Sequence, residues 1–323
     1  MKCYQNMVKR MYDKVSFWVD RPATGGQYEA IAAYLDAPKE QTDLSTGEIT
    51  LFGGVGGLKV TRHTAGVSIV GSLPKFLYDG CNIPALDRHT TAQAIERISD
   101  TLHFDMSVAK VTGFEFGRTF IMQHPVSAYL VRLGEMKRRE RVAVAHTLYY
   151  QHRGEAQPDM VCFYDKGVEV RKSGIAMPVG LDEGNLLRYE IRYKGRLPQQ
   201  MNRPKVDAST LAEKTFYGQM VGLYSERYFS IKKQNLSMVD VTRIKSVSDA
   251  IDVLFAHSLN MVGQDTAERF LEELKAANVF SDRKYYTRVK DKIESAKEKA
   301  GAFSEDTLIK ELDDEVKNAC IYA

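Results

Sequence analysis

Tyr164 and Lys166 stand two residues apart in the run Val161-Cys162-Phe163-Tyr164-Asp165-Lys166-Gly167-Val168-Glu169. Read as a strand, that spacing sends both side chains to the same side of a sheet. The next run, Asn185 to Lys194, alternates without a break: Arg188, Glu190, Arg192 and Lys194 share one face, and Leu187, Tyr189, Ile191 and Tyr193 share the other. A phenol beside a cation, next to a charged sheet face, is what a tyrosine that attacks a DNA phosphodiester needs. A free phenol ionises at about 10. It reacts as phenolate only with help from nearby positive charge, which Lys166 and Arg188 supply at the phosphate. The plainer alternative is a packed tyrosine beside a solvated charge ladder.

Carboxylates on neighbouring strands would hold a metal for that reaction. In Val111 to Phe120, Phe114, Phe116 and Phe120 claim one face for the core, which turns Glu115 to the other. Gly113 and Gly117 flank it, a floor bare enough to admit a nucleic-acid backbone. Glu190 is the second acid, and Glu169 is a third candidate. Histidines are scattered and make no closely spaced pair, so any ion would sit on oxygen ligands, which favours Mg²⁺ or Mn²⁺. Gly53 to Gly57 lacks the Gly-Lys-Ser/Thr ending of a phosphate loop and reads as a hairpin turn. Tyr286, four residues before Lys290, is a rival nucleophile. Its flanks, Arg283, Lys284, Arg288 and Lys292, favour a basic helix that contacts DNA backbone.

The elements that must position these residues follow from periodicity. Strands are expected at 15–19, 48–52, 57–63, 66–71 and 110–122, followed by three more between His146 and Lys194. Helices are expected at 28–35, 90–102, 125–133 and 208–228, and everything after Ser246 reads as helical. The pattern predicts an α+β fold of two consecutive antiparallel sheet halves, about 1–122 and 123–245, with helices packed on one side. A helical C-terminal domain would occupy 246–323. The 323 residues are 44% hydrophobic and 27% charged, enough for a packed core. Net charge is only +3, yet Lys137, Arg138, Arg139 and Arg141 form a dense basic run suited to DNA. Four widely separated cysteines argue against a zinc site or disulfide framework. With no long apolar run and no secretion signal near Met1, a cytoplasmic protein without a membrane partner is expected.

Several blocks, taken in order, resemble a known family. They are Ser72 to Phe76, Thr91 to Leu102, Val111 to Phe120, Thr147 to Tyr150, Phe163 to Glu169 and Leu186 to Arg192. That order resembles the phage and plasmid replication proteins related to the gene II product of filamentous phages. The Tyr-x-Lys-x-x-Glu and Leu-Arg-Tyr-Glu pieces are also similar to initiators of staphylococcal-type rolling-circle plasmids. The resemblance spans roughly residues 60–230.

It implies nicking of one strand at a replication origin, attachment of the 5′ phosphate to tyrosine, and later religation. The nucleophile maps onto Tyr164, with Lys166 beside it, and Glu190 matches the family's acid directly. Glu115 stands where the family carries an aspartate after Arg-Ile, and the arginine is missing here. The implied partner is double-stranded origin DNA with a single-stranded nick region; by their charge, Lys137, Arg138, Arg139, Arg141, Arg192 and Lys194 are expected to contact it, together with the C-terminal helices. Host helicase and polymerase are further candidate partners. A mobilisation relaxase at a transfer origin, and a non-catalytic DNA-binding regulator on the same fold, are the alternatives.

Overall fold

A computed structural model of the chain describes residues 11–321 apart from 79, 81, 84, 155–157, 174–183, 235–245, 263 and 302–305. The boundary expected at 245, and Cys3 and Cys81, lie outside the described residues. The chain forms two compact units. The larger holds the residues up to Leu130, Glu135–Lys232 and those from Leu312 on; the smaller holds Val131–Gly134 and Lys233–Glu311.

The larger unit is built on one ten-stranded antiparallel sheet. Its strands are β1 (Tyr12–Asp20), β2 (Asp36–Thr42), β3 (Ile49–Val55), β4 (Leu58–His63), β5 (Gly66–Ser72), β6 (Lys110–Met122), β7 (Arg139–Val144), β8 (Thr147–His152), β9 (Asp159–Asp165) and β10 (Asn185–Lys194). They lie in the order β2-β3-β4-β5-β1-β6-β10-β9-β8-β7. The two sheet halves are therefore joined edge to edge. β6 and β10, the longest strands, zip together from Gly113 opposite Lys194 to Met122 opposite Asn185. Two strands of this sheet lack the periodicity that would announce them. β2 carries Pro38 and is exposed along its length, as suits a sheet edge. β7 is the basic run itself, bent into the sheet after Arg138 takes a left-handed backbone conformation.

Helix α1 (Arg88–Leu102) starts on an Asp87 cap that accepts from the backbone of His89 and Thr90, and it buries Ala94, Ile95, Ile98 and Leu102. A second helix, α2 (Lys166–Ser173), follows β9 directly, where apolar alternation alone would continue the strand. Asp165 explains the turn, because its carboxylate accepts from the Val168 amide and caps the helix. The long helix α3 (Lys214–Phe229) covers the aromatic face of the sheet. Tyr189 stacks between Phe163 and Tyr224, with ring centroids 4.5 and 4.1 Å away. Tyr189 donates to the Tyr224 carbonyl at 2.8 Å, and Tyr224 donates back to the Tyr189 carbonyl at 3.3 Å. Each such ring pair adds about 1 kcal/mol beyond the area it buries. With one face sealed this way, the charged residues of β6 and β10 have only the other face to occupy.

In the smaller unit α4 (Val247–Val262), α5 (Gln264–Ala276) and α6 (Arg283–Gly301) pack together, burying Ala256, Leu271 and Ile293. The last helix, α7 (Thr307–Ile321), does not stay with this tail as its position in the chain suggests. From Leu312 onward it belongs to the larger unit, where Leu312, Val316 and Ala319 are buried and Asp313 accepts from Tyr228 at 2.7 Å.

Candidate active site

On the face away from the aromatic core, Glu115 of β6 and Glu190 of β10 come together with Asp13 of β1. One carboxylate oxygen from each lies within 4.8 Å of the others. Three carboxylates offer hard oxygen donors of the kind a divalent ion takes, so the donor set fits one. Two arginines answer their charge. Arg188, fully buried, donates to Asp13 Oδ2 at 2.9 Å and Glu190 Oε2 at 3.1 Å, and also reaches Thr119 at 3.3 Å. Arg192 approaches Glu190 Oε1 at 2.7 Å and Glu115 at 3.5 Å. With all five ionised, the cluster carries one uncompensated negative charge.

The electrostatics follow from these contacts. Burial works to raise the Glu190 carboxyl, but Arg188 and Arg192 outweigh it and hold the group below its ordinary value. Glu115 has weaker counter-charge. Burial first, then the charges of Glu190 and Asp13, push it up to about 7. Tyr164 also faces this cluster and donates to Glu190 Oε2 at 3.3 Å. Burial, reinforced by Glu190, raises its phenol well above the ordinary range. Unaided, Tyr164 is a neutral hydrogen-bond donor.

Lys166 is buried at the first turn of α2 rather than on a strand. Its Nζ lies 5.9 Å from the Tyr164 ring centroid and 2.7 Å from Glu169. Glu169 thus serves as partner to Lys166 and stands outside the carboxylate triad. Arg188 does not take the phosphate-facing position that its strand pattern suggests. It lies inside the protein, enclosed by two acids, and cannot reach a strand of DNA without leaving them. The glycine floor is likewise not open. A Cβ at Gly117 would overlap the Glu190 Cβ, so the bare space on β6 is filled by Glu190 itself.

Among the expected DNA contacts, Lys137, Arg138, Arg141 and Lys194 are exposed. Arg139 is buried, with Nη2 against both oxygens of Asp159 at 2.8 and 2.7 Å, and is lost to DNA. Arg192 belongs to the acid cluster. The rival Tyr286 is also occupied: its hydroxyl accepts from the Phe280 amide at 2.9 Å and donates to the Leu274 carbonyl at 3.4 Å.

Beside the triad opens a cleft of about 560 Å³ whose lining includes Asp13, Glu115, Tyr149, Tyr164, Lys166 and Glu169. The third acid and the cleft fall within residues 11–215, the stretch that matches the Phage_CRI family, described as the N-terminal part of the gene II type of replication-associated protein. The chain belongs to that family. Membership supports a role in rolling-circle replication initiation, a role generally exercised by an endonuclease, and it implies binding of origin DNA. No curated protein matches the chain. Among the described residues, no helix is long and apolar enough to cross a membrane.

Proposed function

We propose that this replication-associated protein is a strand-specific DNA nickase and religase that opens its origin through Tyr164. The observation that carries the reading is the hydrogen bond from the Tyr164 phenol to Glu190, at the edge of three converging carboxylates. Asp13, Glu115 and Glu190 would hold Mg²⁺ or Mn²⁺, which when bound supplies Lewis-acid polarisation of a phosphate oxygen.

The chain's own residues do the rest. Glu190 Oε2 is aligned to accept the phenol proton, and Arg188 fixes that carboxylate from within. Lys166 favours the phenolate across the ring. As the Tyr164 oxygen bonds to phosphorus, the bond from phosphorus to the 3′ oxygen breaks. The 3′ oxygen takes up a proton and leaves as a hydroxyl, and the 5′ phosphate stays esterified to Tyr164. Attack by a 3′ hydroxyl on that ester reverses the bond changes and rejoins the strand, so no nucleotide cofactor is consumed. The exposed Lys137, Arg138, Arg141 and Lys194 would hold origin phosphates in a salt-dependent way. A host helicase would unwind the duplex from the nick, and a host polymerase would extend the exposed 3′ end. A mobilisation relaxase would run the same chemistry at a transfer origin and differ only in its DNA site.

The test is incubation of the full chain with supercoiled DNA of its own replicon and Mn²⁺ or Mg²⁺. The expected products are open circles carrying covalently bound protein at the 5′ end, formed by the wild type and by Tyr286→Phe but not by Tyr164→Phe. Nicking that survives Tyr164→Phe moves the nucleophile elsewhere. Binding without any nicking makes the protein a regulator on this fold.

A further inference from the structure

The cleft beside the triad holds three cations that the chemistry above does not use. Lys14 of β1 and Lys75, in the short helix Leu73–Leu77, line it together with Lys172 of α2. Two other cations of the same cleft, Lys166 and Arg192, are already paired with Glu169 and Glu190. Lys14, Lys75 and Lys172 have no ion pair with any described residue. Lys14 and Lys172 are exposed, and Lys75 is half-buried. Ammonium groups without a described partner, in a cleft that also exposes acids of the triad, suit a polyanion that reaches the acids by its backbone.

The floor supplies the second observation. Tyr149 of β8 pairs with Cys162, two residues along from the Thr147–Tyr164 pair, so its ring shares the face of Tyr164 and lines the same cleft. The ring is half-buried. A half-exposed aromatic ring lining the same cleft as lysines without a described ion-pair partner is the combination that single-stranded nucleic acid favours, with phosphates on the cations and a base on the ring. Size agrees. A cleft of about 560 Å³ falls in the range of about 300–1,000 Å³ that encloses one small molecule, which suits a nucleotide or two.

We infer that this cleft is the track of the scissile strand in single-stranded form, with Lys14, Lys75 and Lys172 on its phosphates and Tyr149 stacked on a base next to the nick. The inference rests on the nicking reading for its substrate and its single-stranded nick region, and it assigns the residues that would hold that strand, which the reading leaves open.

The experiment is fluorescence anisotropy of labelled oligothymidylate, and of a duplex hairpin, on the full chain in EDTA across a salt series. For the triple variant Lys14→Ala/Lys75→Ala/Lys172→Ala, single-strand affinity is expected to fall by at least about tenfold. The slope of log K against log salt is expected to fall by roughly 2, at about 0.7 for each phosphate no longer neutralised. Tyr149→Ala is expected to weaken single-strand binding by roughly five- to a hundredfold with the salt slope unchanged. Hairpin binding should hold in both, and so should single-strand binding by the control Lys39→Ala/Lys59→Ala, whose lysines lie outside the cleft. Unchanged affinity and slope in the triple variant overturn the track, and so does an equal loss on single strand and hairpin. If the wild type forms no covalent adduct with its replicon while the lysine variants still weaken oligothymidylate binding, the chemistry fails and the track stands. If the adduct forms while oligothymidylate binding is unaltered in the variants, the chemistry stands and the track fails.

Discussion

Arg188 and Asp13 lie 175 residues apart in the chain, yet the Arg188 Nη2 sits 2.9 Å from the Asp13 Oδ2 at the centre of the sheet. The contact links β1 to β10 across β6. One guanidinium thereby holds two acids, Asp13 and Glu190, within ligand distance of each other before any ion arrives. The arginine's own charge is secured by the same pair: burial would lower its affinity for the proton, and Asp13 and Glu190 more than offset that.

Removing that guanidinium should expose the repulsion it suppresses. Arg188→Met leaves buried Asp13 without its arginine and Glu190 with Arg192 alone, and breaking a buried pair in this way costs about 3–5 kcal/mol in comparable settings. Thermal unfolding in EDTA should show the loss. Saturating Mn²⁺ should return part of it, because an ion bound by the triad replaces the missing charge. A melting temperature that Mn²⁺ leaves where it was would argue that the three acids do not form a metal site.

Glu115 gives the site a pH dependence of known sign. Folded, it keeps its proton up to about 7, against an ordinary value of 4.5. Between those values the native state holds more protons than the unfolded one, so stability falls as pH rises from about 4.5 toward 7. Glu115→Gln should therefore stabilise the metal-free protein at pH 8, by on the order of 1–3 kcal/mol. The same variant should lose affinity for Mn²⁺. In the wild type, the proton competes with the ion below about 7, so calorimetry in buffers of different ionisation heat should detect about one proton released per ion bound. Metal affinity that is flat from pH 6 to pH 8 would contradict this.

Much of this site is legible in the chain, and the exceptions have local causes. The unbroken alternation of β10 assigns the faces of Arg188, Glu190 and Arg192, and the three phenylalanines of β6 assign that of Glu115. Asp13 cannot be read the same way. Counting back in twos from Phe17 and Val15 puts it on the apolar side, and the strand pattern begins only at Val15. A register shift between Tyr12 and Val15 turns it to the other face, as bulges do beside functional sites. Burial of Arg188 is also hidden, because alternation assigns a face and says nothing of what covers it. Lys166 continues the alternation of β9, but the cap at Asp165 starts a helix there. The signal lies in Asp165 and is outweighed by the hydrophobic run before it.

That helix start changes what Glu169 does. At 2.7 Å from a buried Lys166, it is the ammonium's counter-ion and is itself 43% exposed. Glu169→Gln should cost about 1 kcal/mol of stability, the exposed partner being partly screened by solvent. Mn²⁺ binding should be the same as in the wild type, whereas Glu190→Gln should abolish it. Titration of both variants by calorimetry separates the roles: a matching loss of metal affinity in Glu169→Gln would return Glu169 to the ligand set.

Gly117 is the residue that lets Glu190 occupy its position. The two face each other across the β6–β10 ladder, and a Cβ at Gly117 would overlap both the Cβ and the Cα of Glu190. Backbone cannot yield there as a flexible side-chain tip would, since the Tyr189 carbonyl oxygen crowds the same point. Gly117→Ala must push β10 away from β6 at the residue that bonds Tyr164, Arg188 and Arg192. Overpacking of this kind costs about 1–3 kcal/mol, and displacement of a ligand-positioning contact typically lowers metal affinity about 10- to 100-fold. Gly113→Ala is the comparison. Its Cβ would meet the Tyr193 carbonyl at 3.0 Å, a gentler contact, and its ladder partner is Lys194 rather than Glu190. Mn²⁺ affinity should therefore fall much further in Gly117→Ala than in Gly113→Ala. Equal affinities would mean that the glycine serves strand packing alone and that Glu190 does not depend on the space it leaves.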